Sequence, residues 1–168
     1  MSTSWPSKEI RQLQNSIVAL RRLVEREAKS AIDDVTKELA RFLVVRSCGF
    51  LEQVSIECCK LYLSTKADPR SSSFGLSWLE RSVNPTPGRL VELMGRFDDA
   101  WADELNDLLN DNDEYLKREL EFLVDRRNKI AHGLSEGITV RKAIILFDAA
   151  QDISDWFVAQ FRPVIASP

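Results

Sequence analysis

Residues 113–133 read DEYLKRELEFLVDRRNKIAHG, and this stretch decides the fold class. Leu116, Leu120 and Leu123 recur at the three-to-four-residue spacing of a single helix face. The spacing predicts a long helix over roughly 113–131, stopped by Gly133, a residue suited to a left-handed C-terminal cap. The stripe changes character before it stops. Four residues beyond Leu123 is Arg127, four beyond Val124 is Asn128, and four further on is His132. Charged side chains on a packing face cost free energy unless they are paired or used. A local rule broken at one place is where function is expected.

Working outward, the same periodicity predicts helices on both sides. Ile10, Leu13, Ile17, Leu20 and Val24 mark a first helix over roughly 8–29, with Arg11, Arg21, Arg22 and Arg26 off its apolar stripe. Val35, Leu39, Phe42, Leu43, Phe50, Val54, Cys58 and Leu61 are read as the apolar side of a second, roughly 33–65. Gly49 lies inside it, where glycine costs about 1 kcal/mol relative to alanine, and a close helix contact would explain it. Residues 66–88 carry Pro69, the run Ser71-Ser72-Ser73, Pro85 and Pro87, which predicts irregular structure around a short helix containing Phe74, Leu76, Trp78 and Leu79. Thr86-Pro87 is an N-cap followed by proline at the first helical position, and a helix of about ten residues follows. Trp101, Leu105, Leu108 and Leu109 indicate another short one. After Gly133 a loop, LSEGI, leads to Thr139, the expected N-cap of a last helix over roughly 140–161. The expected fold is therefore all-α, a bundle of four to five main helices in a single domain spanning 1–168.

Composition agrees. Only six glycines and six prolines in 168 residues favour long helices over a meander of short strands. The net charge of −3 argues against a surface that is basic throughout. The acid is concentrated, however: residues 98–125 hold 2 Lys/Arg against 11 Asp/Glu, while 1–97 hold 15 against 11 and 126–168 hold 6 against 4. The acidic stretch is either a solvated helix face or a docking surface for a basic partner. Elsewhere there is room for a local phosphate site. Cys48, Cys58 and Cys59 are odd in number and two are adjacent, so they read as core thiols of a reducing compartment. The N-terminus has no apolar signal-peptide core, and no run approaches the roughly 18 apolar residues of a membrane helix. A cytoplasmic protein without membrane partners is expected.

The residue types at the end of the 113–131 helix suit cleavage of RNA. The 2′-hydroxyl must lose a proton and attack the adjacent phosphorus, and the 5′-oxygen must gain one as it leaves. Histidine can serve either step near neutral pH, and His132 is the only one in the chain. A guanidinium offers two parallel donors to phosphate oxygens as charge builds on them. Asparagine can orient the ring or hold a phosphate oxygen. One histidine and no CxxC spacing make a zinc-type site hard to assemble, a carboxylate-only magnesium site stays open, and phosphate-loop, nucleophile-elbow and zinc-protease motifs are absent. The alternative is structural: Arg127 and His132 as a helix end, a cap and a salt bridge to Asp125 or Glu121.

The string RRNKIAHG (126–133) resembles the signature of the HEPN superfamily: Arg, four to six residues, then His, often with Asn directly after the Arg. The string RFLVVRSCGFLEQ (41–53), followed by more helix, is similar to the small stand-alone HEPN proteins of bacterial defence and toxin loci. The resemblance implies an all-α HEPN bundle that dimerises, with two Arg–His motifs facing each other across a composite RNA-cleaving cleft. It implies an endoribonuclease that needs no metal or cofactor and leaves a 2′,3′-cyclic phosphate, acting as a toxin or anti-phage effector. Arg127 and His132 would then be catalytic and Asn128 would support them. Arg126 and, more weakly, Lys129 would bind RNA by position. Partners implied are the RNA substrate, a second copy of the chain, and an antitoxin or neighbouring defence subunit. Leu134 stands where toxins paired with a nucleotidyltransferase antitoxin carry tyrosine, so control through that tyrosine is not expected. The alternative within the family is a non-catalytic interaction or RNA-binding module of a defence complex.

Overall fold

The periodicities become six helices in a computed structural model that describes residues 5–29, 33–79, 84–134 and 137–166, with side chains to Arg162. They are α1 (Lys8–Glu27), α2 (Asp33–Lys66), α3 (Pro69–Leu79), α4 (Pro87–Gly95), α5 (Asp99–Ala131) and α6 (Val140–Ala166). No strand occurs among the described residues. Ser135 and Glu136 of the expected loop lie outside them.

α2 is the central element and packs on α1, α3, α5 and α6. Its inner side, with Leu43, Val44, Cys48, Leu51, Val54, Cys58 and Cys59, is fully buried. Each such aliphatic side chain contributes about 1.5–3 kcal/mol by leaving water. At one end Tyr62, Phe97, Trp101 and Phe161 meet edge to face, with centroid distances of 5.1–6.1 Å, tying α2 to α5 and α6.

The helix ends follow their sequence signals. Ser7, Thr86, Asp98 and Thr139 each accept a backbone N–H from the first turn they precede. Asp68 does the same for α3, accepting from Arg70 and Ser71, which is why α3 begins at Pro69, well before the expected apolar cluster.

Two expectations are corrected. Val35 and Phe42, assigned to the packing side of α2, are about half exposed, because the buried arc passes through Leu43 and Val44 instead. Gly49 makes no close helix contact: a Cβ built there would meet nothing within 4 Å. It borders an open cavity. The two helices expected near 101–109 and 113–131 are both present, as the arms of α5 on either side of a non-helical break at Asp111–Glu114. Asn112, Asp113 and Glu114 take left-handed φ values of 49°, 56° and 59° there. The break divides an exposed acidic arm, anchored through buried Leu105 and Leu109, from the arm bearing Leu120, Leu123, Val124 and the Arg–His segment.

Candidate active site

The last turn of α5 is closed by a Schellman motif. The Leu134 N–H bonds the Lys129 carbonyl at 3.0 Å, the Gly133 N–H bonds that of Ile130 at 3.0 Å, and Gly133 supplies the required φ of +72°. This fixes His132 as the C-cap, its backbone N–H bonded to the Asn128 carbonyl at 3.0 Å. The His132 side chain is exposed and makes no hydrogen bond or ion pair among the described residues. It does not meet the Asn128 side chain, although the spacing permits it.

The Asn128 side chain is engaged elsewhere. Its Oδ1 accepts from Arg127 Nη1 at 3.0 Å and from Asn84 Nδ2 at 3.2 Å. Asn84 lies in the segment before α4 and is 44 positions away in sequence. No local pattern marks it. Arg127 pairs with no carboxylate among the described residues, so the salt bridge to Asp125 or Glu121 does not form. Asp125 instead accepts from Lys129 at 3.1 Å and lies 4.0 Å from Arg126.

Arg127 faces a cavity of about 210 Å³ between α1, α2 and α5, lined by Leu13, Ile17, Val45, Arg46, Gly49, Phe50, Gln53 and Arg127 itself. Five of these residues come from the string 41–53, so the two stretches that carried the family resemblance meet here. Arg46 and Gln53 are exposed and were not singled out from sequence. Arg46, the second arginine in RFLVVRSCGFLEQ, was a usable signal, since it repeats the guanidinium chemistry of Arg127. Burial pushes the Glu52 carboxyl above its ordinary range, and the Arg127 guanidinium partly offsets this.

Arg126 and Lys129 do not join the cluster. The Arg126 guanidinium lies over the Phe122 ring, 4.6 Å from its centroid, beside the Lys142 ammonium at 4.7 Å. The thiols offer no nucleophile: Cys48, Cys58 and Cys59 are buried and unpaired, and burial raises all three, Cys48 to about 11. Among the described residues no group of three or more His, Cys, Asp or Glu side chains is placed to hold a metal. No described helix is long and apolar enough to cross a membrane.

A family model, RiboL-PSP-HEPN, matches residues 3–161. The chain belongs to the RiboL-PSP-HEPN family. Membership accounts for the all-helical fold of the described residues and places the chain in the HEPN superfamily, for which an RNA-related role is the natural reading. Comparison with curated proteins and with solved structures gives no match. The site of this RiboL-PSP-HEPN chain therefore rests on its own geometry. Arg127 and Asn128 are held together, and His132 stands exposed at the cap.

Proposed function

We propose that this HEPN protein is a metal-independent endoribonuclease with Arg127 and His132 as catalytic residues and Asn128 as the residue that positions the guanidinium. The observation that carries the reading is the Arg127 guanidinium, gripped by an amide and not by a carboxylate, on the same helix end as the sole, exposed histidine. An amide fixes direction without neutralising charge, so the remaining N–H donors stay available to phosphate oxygens.

The step balances without a cofactor. A base takes the proton of the 2′-hydroxyl, O2′ attacks phosphorus, the P–O5′ bond breaks and O5′ leaves with a proton. The products are a 2′,3′-cyclic phosphate and a 5′-hydroxyl. A homodimer would pair the histidine of one chain, as the base, with the arginine of the other, and water would protonate the leaving O5′. Five residues along a helix separate Arg127 from His132 by roughly 140° and 7.5 Å. That divergence favours an arginine and a histidine that meet across a dimer interface. A toxin or defence role, under control of an antitoxin or neighbouring subunit, fits a cleft that exists only in the dimer. Arg126 and Lys129 enter this reading only as cations flanking the RNA path.

The test is cleavage of labelled single-stranded RNA with EDTA present. Wild type should cut and leave cyclic phosphate ends. Arg127→Ala and His132→Ala should each lose at least about a hundredfold in rate. An undiminished rate in His132→Ala, or dependence on added divalent metal, sinks the assignment.

A further inference from the structure

We infer that the outer face of α3 is a stacking platform for single-stranded RNA, formed by Phe74 and Trp78 and flanked by Arg70 and Arg96. It would hold nucleotides beside the scissile bond, and in that role it rests on the ribonuclease reading above.

The helix is built to present this face. Ser72 and Leu79 are buried on its inner side. Between them Gly75 lets α3 approach α2 so closely that a Cβ there would stand 2.7 Å from a Leu63 methyl. Phe74 and Trp78 are four apart on the opposite side, 78% and 39% exposed. Single exposed apolar residues are ordinary, but two large rings one turn apart among cations are not. The Arg96 guanidinium sits over the Trp78 indole, 4.1 Å from its centroid. Exposed Arg70 lies one turn before Phe74 and makes no ion pair among the described residues, and exposed Lys66 precedes it.

The carboxylates nearby do not cancel this charge. Asp68 is occupied as the cap of α3. Glu92 pairs with Arg96 at 2.8 Å and Arg89 at 3.3 Å. Lys66, Arg70, Arg89 and Arg96 outnumber Asp68, Glu92 and the Glu52 of the adjoining cavity, so cations predominate around the rings on a chain of net charge −3.

Rings interleaved with cations match unpaired bases on a phosphate backbone: each base offers a π-face whatever its identity, and the cations track the phosphates. The excess of cations around the rings favours a polyanion over a protein surface as the occupant. The platform also borders the cluster on α5. Trp78 and Pro85 line one small cavity with Glu52, and Asn84, next to Pro85, holds Asn128.

The experiment uses a fluorescein-labelled RNA strand of about twelve nucleotides, fully 2′-O-methylated so that it binds but cannot be cut. Phe74→Ala/Trp78→Ala should weaken binding by about tenfold or more. Phe74→Tyr/Trp78→Phe, which keeps both rings, should bind like wild type. With cleavable RNA, the alanine variant should show a raised KM and an unchanged kcat, and it should cut a dinucleotide at the wild-type rate. Equal binding by the alanine variant overturns the platform, as does failure of the ring-keeping variant to restore affinity. RNA affinity unchanged alongside lost self-association in sedimentation would assign the face to a protein contact and also overturn it. Ring-dependent binding without cleavage of any RNA would leave the platform standing and reject the ribonuclease.

Discussion

The Asn84 side chain donates at 3.2 Å to the same Asn128 oxygen that accepts from Arg127 at 3.0 Å. Asn84 thereby couples the segment before α4 to the guanidinium without touching it. Its loss should free Asn128 to rotate and let Arg127 lose direction. We expect Asn84→Ala to lower kcat about fivefold, the worth of one hydrogen bond, with KM nearly unchanged and the melting temperature little moved. Asn84→Asp should be worse, because a carboxylate there would draw the guanidinium into an ion pair. Steady-state cleavage with thermal melts of the three proteins checks this; a fall in stability matching the fall in rate would make Asn84 merely structural.

The 113–133 stretch was legible because one signal, the aliphatic stripe, ran into a contrary one. The cap followed from Gly133, and the helices from spacing alone. Asn84 was not legible, since its partner is 44 positions away and its own neighbourhood reads only as proline-rich irregular chain. Gly49 was misread for a related reason. A glycine in a helix signals that something approaches or that something is left open, and sequence does not distinguish them. Here the space is open and lies beside Arg127. Phe42 and Val35 were misplaced because α2 carries apolar residues over a broad arc, so periodicity did not single out the buried part. Arg126 and Lys129 were chosen by adjacency, and neighbouring residues on a helix point about 100° apart.

The left-handed turn within α5 is a place where the protein should gain from glycine. Left-handed conformation costs an L-residue roughly 1–2 kcal/mol, less for Asn and Asp. Asp113, at φ 56°, makes no side-chain interaction among the described residues. Asp113→Gly should raise the melting temperature by about 2 °C after the extra freedom of glycine in the unfolded chain is subtracted. Asp113→Val, β-branched at a positive φ, should lower it by more than that. Equal melting of all three proteins would mean that the break is not held in this conformation.

Asp155 predicts a pH dependence of stability. Partial desolvation of this otherwise exposed side chain first, and repulsion from Asp152 second, raise its carboxyl above the ordinary range despite a hydrogen bond from Gln14. The folded state therefore holds this proton more tightly than the unfolded one. Its contribution is fully present below about pH 4, the ordinary aspartate value, and is lost as pH rises through the raised folded value. Asp155→Asn, which keeps a partner for Gln14, removes that loss. The variant should melt slightly above wild type at pH 7, with the difference closing as pH falls toward 4. Melting curves across that range suffice; a gap that widens on acidification contradicts the sign.

A composite site makes a sharper demand than either single substitution. If Arg127 acts with His132 of the same chain, mixing Arg127→Ala with His132→Ala restores nothing, because no chain holds both groups. If arginine and histidine act across the interface, a mixed dimer holds one intact Arg127 from one subunit and one intact His132 from the other. The divergence of roughly 140° between the two positions on α5 favours the second arrangement. Random re-pairing makes half of the dimers mixed. The mixture, refolded together, should recover on the order of a quarter of wild-type cleavage, while each variant refolded alone stays inactive. Recovery should also fall on dilution, since it depends on dimers. No recovery, with mixed dimers demonstrated by a size tag on one variant, would return the reaction to a single helix end and remove the reason for invoking a second subunit.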